Sequence, residues 1–119
     1  KPEVILMASG SEVSLILEAA YQLEAENVNV RIVSFPSWEL FKVADEKYQN
    51  SVLPPEIRCR VAVEAGVAQG WERWVGTDGE IISIEKFGAS APYKTIFEKY
   101  GFTVENVVQT AKKALGKKR

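Results

Sequence analysis

The residues best equipped for chemistry in this chain are two carboxylates, Glu64 and Glu85, and one thiol, Cys59. Each carboxylate closes a short apolar run, RVAVE or EIISIE, that reads as a strand. If those strands are parallel, both acids stand on one edge of the sheet. A carboxylate pair with separated pKa values does acid–base work there. The same position suits a structural carboxylate bonded to loop amides or to an arginine such as Arg73. Cys59 lies between Arg58 and Arg60. Flanking cations lower a thiol pKa, while the plainer reading is a small strand-edge residue. Histidine is absent from all 119 residues. That removes the commonest general base and metal ligand, and the usual Ser/His and Cys/His nucleophile pairs. Catalysis by this chain alone would rest on carboxylates, Lys, Tyr or Cys.

A second candidate is the stretch MASGSEVSL, where an apolar run meets a glycine and then a helical pattern. The strong nucleotide motifs need three spaced glycines, or a glycine followed by GK[ST]. Here Gly10 stands alone and no lysine follows. A helix N-terminus still offers free amides to an anion, so Gly10, Ser11 and Glu12 form a candidate anion site. Glu12 opposes it, because its own negative charge lies in the first turn. The competing reading is a capping box, Ser9 with Glu12, each side chain bonding the other's amide.

A third candidate is aromatic. Trp71, Trp74 and Phe87 surround glycine-rich turns and are interface candidates, since aromatics and arginine populate interface cores. Plain core and a small-molecule pocket are the other two readings.

These residues need a frame to hold them. The length suits one domain, and 46% apolar residues can build a core. One cysteine and no export pattern point to a reducing, cytoplasmic setting. No run is long enough for a membrane span, so no membrane partner is expected. Net charge is −1, but Lys112, Lys113, Lys117, Lys118 and Arg119 hold five of fifteen basic residues. The remainder carries ten basic residues against sixteen acidic ones, which argues against a nucleic-acid partner. The chain begins almost directly on a strand and without Met, which reads as a domain cut at a boundary.

Strands are expected at 4–8, 28–34, 60–64 and 80–85, and the first helix at 11–26 with Asn27 as its stop. Ser37 is a possible cap for a short helix carrying Trp38, Leu40 and Phe41, followed by a polar mixed stretch at 42–50. Residues 51–55 form a proline-stiffened connector, and 67–75 a turn or two of helix. Ser90 caps a helix that Gly101 ends. Thr103 caps the last helix, with Phe102 and Val107 as a hydrophobic staple. Strands alternating with helices give an α/β domain with a mostly parallel sheet and helices as crossovers.

Taken together, ASGSEVSL, VSFPSWELF, SVLPPEIRCRVAVEAG, GWERWVG, FGASAP and GFTVENV occur in one order across nearly the whole chain. In this they resemble the C-terminal, third domain of transketolases. Related third domains of deoxyxylulose-phosphate synthase and 2-oxoacid dehydrogenase β subunits lack PSWELF, GWERWVG and FGASAP. The resemblance implies a three-layer domain with a mixed sheet of about five strands, residues 1–119 forming this single domain. It implies a parent homodimer that moves a two-carbon ketol unit between sugar phosphates in the pentose phosphate pathway. The parent uses thiamine diphosphate and a divalent cation, magnesium or calcium. Those ligands belong to the first two domains, so no catalytic, cofactor or metal residue is carried onto this chain. The expected partners are those two domains. The third domain's own role stays open between supporting the assembly and holding a regulatory ligand.

Overall fold

Five consecutive apolar residues, VILMA, form β1 (Val4–Ala8), and all five are buried. A strand covered on both faces needs no polar alternation, which is why the run is continuous. The computed structural model describes residues 2–9, 12–34, 43–64, 71–76, 78–83 and 103–118. After β1 come α1 (Val13–Ala25), β2 (Val30–Ser34) and α2 (Glu46–Val52). Then follow β3 (Arg60–Glu64), the short α3 (Glu72–Val75), β4 (Glu80–Ser83) and α4 (Val104–Lys118).

The strands lie in the order β2-β1-β3-β4, and every pairing is parallel. Leu6 faces Ile32 on one side and Val61 on the other, and Val61 in turn faces Glu80. Among the described residues the sheet has four strands, and the expected fifth is not one of them. The sheet there is parallel throughout rather than mixed.

Alternation along each strand separates two cores. Val4, Leu6, Ala8, Val61 and Val63 pack with Ile16, Ala19 and Leu23 of α1 and Val107, Val108 and Ala111 of α4. Ile5, Met7 and Ala62 face the other way, against Leu53, Ile57, Trp71, Trp74 and Val75. The result is three layers. The spacing 16, 19, 20, 23 is the buried stripe of α1, and the exposed Glu18 and Gln22 lie off it.

Helix ends follow local chemistry. Asn27 ends α1 in the left-handed region at φ 66°. Its amide donates to Glu24 O, and the Val28 amide donates to Leu23 O, both at 3.0 Å. That is a Schellman motif with asparagine in the usual glycine place. Thr103 caps α4 as expected, its Oγ1 accepting from the Asn106 amide at 3.1 Å. One helix departs from the sequence reading: α2 occupies most of the stretch read as polar and mixed. Asp45 caps it, accepting from the Tyr48 amide at 2.8 Å. None of its residues is buried, so it carries no apolar stripe to announce it. The expected elements around Ser37 and Ser90, and Phe102 of the staple, lie outside the described residues.

Candidate functional site

In an open parallel sheet, ligands gather at the strand C-terminal ends, where chain order reverses. Here that point lies between β1 and β3, because β1 is followed in the chain by β2 on one side and β3 lies on the other. Ser9 follows β1, and Glu64 ends β3. The Ser9 hydroxyl donates to Glu64 Oε1 at 3.2 Å, and the Trp71 indole Nε1–H donates to the same oxygen at 3.0 Å. One carboxylate oxygen therefore ties two strand ends to a buried indole.

This clasp bears on two readings. Glu64 holds structure together through Ser9 and Trp71. Its proposed acid–base partner, Glu85, lies outside the described residues. The capping box does not form as expected, because Glu12 rather than Ser9 is the N-cap; the Ser9 hydroxyl donates across to β3. Glu12 itself is the N-cap of α1, with helical φ −74° and ψ −9° and no side-chain cap hydrogen bond. Of the anion candidates, Glu12 is buried at the helix start, where its own charge opposes an anion; Gly10 and Ser11 lie outside the described residues.

The indoles are also reassigned. Trp71 is 0% exposed and Trp74 6%, both within the second core, so an interface role for these two is corrected to core packing. Both rings share that cluster with Ala62, a small residue in the middle of β3. Phe87 lies outside the described residues. Cys59 is buried on the α1/α4 face, its Sγ 3.8 Å from Ala111 O. Arg60 bonds residues on the opposite face, so the flanking arginine does not gather round the thiol.

Arg60 is the side chain that sequence reading passed over. Its Nε donates to Ile57 O at 2.9 Å and its Nη1 to Trp74 O at 2.6 Å. Its Nη2 donates to Pro54 O at 3.0 Å and Leu53 O at 3.3 Å. One guanidinium thus fastens the proline connector and the end of α3 to the start of β3. Burial pushes its pKa below the ordinary arginine value. The available signal was an arginine opening an apolar strand directly after a Pro-Pro connector.

The geometry, then, is a sheet whose ends are tied by half-buried polar clasps. The Transketolase-like TK C-terminal domain family matches residues 1–103. The chain belongs to this family. A transketolase of Geobacillus stearothermophilus is 48% identical over 116 residues, 98% of this chain and 17% of that protein. Transketolase 2 of Vibrio parahaemolyticus is 53% identical over 115 residues, again 17% of its length. The solved transketolase from Leishmania mexicana superposes with a TM-score of 0.89 at 39% identity. That superposition covers 98% of this chain and 17% of the solved one. The chain thus corresponds to the C-terminal domain of transketolases and spans about one sixth of the relatives it matches. No described helix is long and apolar enough to cross a membrane.

Proposed function

We propose that this chain is the third domain of a thiamine-diphosphate-dependent transketolase. That enzyme transfers a two-carbon ketol unit between sugar phosphates in the pentose phosphate pathway. In this reading the domain is a non-catalytic scaffold that packs against the two other domains of a cytoplasmic homodimer. The observation that carries it is the near-complete match of this chain to one sixth of each relative.

The donor set does not fit the cofactor. Histidine is absent, the one cysteine is buried, and no described group of His, Cys, Asp and Glu could hold a metal ion. In this reading thiamine diphosphate and its divalent cation belong to the parent's other domains, and no step is routed through this chain. The indoles are core, so the scaffold reading rests on family correspondence rather than on Trp71 and Trp74. The alternative, a regulatory anion at Gly10, Ser11 and Glu12, is weakened by the buried Glu12.

A domain exchange tests the proposal. This chain replaces the third domain of the Geobacillus enzyme, and ketol transfer is followed with thiamine diphosphate and magnesium. The chimera is expected to be dimeric and active, and the isolated chain inactive. A folded, dimeric but dead chimera, or turnover by the chain alone, would overturn it.

A further inference from the structure

We propose that the cleft between α2 and α3, at the N-terminal edge of the sheet, binds a small organic anion through Arg60 and Arg73. The cleft measures about 300 Å³. Its walls supply charge from Arg60 and Arg73, amides from Gln49 and Asn50, and an apolar floor from Leu53 and Trp74. Among the described residues no acidic side chain lines it.

The two cations are held in place in different ways. Among the described residues, the acceptors of Arg60 are all backbone carbonyls: Leu53, Pro54, Ile57 and Trp74. Four of its five N–H groups are used, and no described carboxylate pairs with it. Arg73 lies over the Trp74 ring, 4.9 Å from the centroid, which positions the guanidinium without neutralising it. The adjoining cleft, about 210 Å³, shares Arg60 but also contains Arg58 and Asp78. Those two pair at 2.6 Å, so the unbalanced charge is concentrated on the Arg73 side.

Two guanidiniums with no carboxylate among the described lining residues match an anion that carries two negative groups, or one phosphate monoester. The volume lies at the small end of ligand pockets and admits roughly a dozen heavy atoms. A phosphorylated short-chain carboxylic acid fits both limits. The hydroxyls of such a molecule suit the Asn50 amide, while the Gln49 Nε2 already donates to Ala44 O at 3.2 Å. This site lies at the opposite edge of the sheet from Ser9 and Glu64, and it does not depend on the transketolase reading.

The test is titration of the chain with 3-phosphoglycerate, inorganic phosphate and glycerol at constant ionic strength, read by calorimetry and backbone amide NMR. The expected result is saturable binding of 3-phosphoglycerate, weaker phosphate binding and none for glycerol, with shifts centred on Asn50, Arg73 and Trp74. Arg73→Gln and the charge-opposing Asn50→Asp are each expected to weaken binding about tenfold while leaving the chain folded. Lys47→Gln removes an exposed charge from the same helix outside the cleft, and is expected to change nothing. No saturation by about 10 mM would overturn the proposal. Equal weakening by Lys47→Gln would also overturn it, showing diffuse charge attraction. So would shifts centred on α1. Binding that disappears in a longer polypeptide containing this domain would show that the cleft is covered there, and would overturn the small-molecule reading.

Discussion

Gly79→Ala is expected to be among the most costly single-methyl additions in this domain, for a reason visible in three distances. A Cβ built on Gly79 would stand 2.4 Å from Val75 O, 2.6 Å from Val75 Cβ and 2.8 Å from Arg60 O. Two of those atoms are backbone oxygens and cannot swing aside. Relief requires moving the start of β4 away from β3, or moving the end of α3. Both belong to the region fastened by Arg60, whose Nη1 holds Trp74 O. Overpacking against rigid atoms costs about 1–3 kcal/mol. Restricting the unfolded chain returns about 0.4–1 kcal/mol. With three contacts this short, the steric loss belongs in the upper half of its range, and the net is about 2 kcal/mol of destabilisation. For a chain of this size, that lowers Tm by roughly 8 °C.

Two other glycines serve as internal controls. Gly76 has φ 73° with nothing within 4 Å of an added Cβ, so alanine there meets only the left-handed penalty, about 1 kcal/mol. Gly116 lies in α4 in open space, so alanine there is expected to stabilise by about 0.5 kcal/mol. Thermal unfolding followed by circular dichroism should rank the proteins Gly116→Ala, wild type, Gly76→Ala, Gly79→Ala from most to least stable. A Gly79→Ala protein melting within about 1 °C of wild type would refute the close-approach argument.

Other outcomes follow from the same clasps and caps. Asn27→Ala places a Cβ-bearing residue without a local polar group at φ 66°, and should cost about 1 kcal/mol in urea unfolding, whereas Asn27→Gly should not destabilise. Trp71→Phe removes the indole donor to Glu64 and leaves unfilled volume at a fully buried site, for a loss of about 2–3 kcal/mol. Glu64→Gln keeps an acceptor oxygen and should cost less. A double-mutant cycle between the two should show coupling above about 0.5 kcal/mol, and strict additivity would remove the clasp.

Much of the frame could be read before any coordinates, because its signals are local. Buried parallel strands appear as unbroken apolar runs, so VILMA and RVAVE announced themselves. Val107, Val108 and Ala111 recur at helical spacing, and Thr103 precedes them as a cap. The helix α2 was hidden because its evident signal is one capping aspartate, with no buried stripe behind it. The Ser9 to Glu12 spacing suggested a capping box, but Ser9 bonds a carboxylate 55 residues away.

What the sequence determined by itself was therefore the class of the domain, the position of the strands, the absence of histidine chemistry and the resemblance to a family. Each depends on residues that are neighbours along the chain, or on composition alone. The tertiary structure decided the strand order, the burial of both indoles, the joining of Ser9, Glu64 and Trp71, and the half-buried charge of Arg60. All of these depend on which distant segments meet across the sheet. A tryptophan between glycines looks the same in sequence whether its ring faces a partner or a core. Here the ring lies among Ile5, Met7, Ile57 and Ala62, and its N–H meets the carboxylate that ends β3.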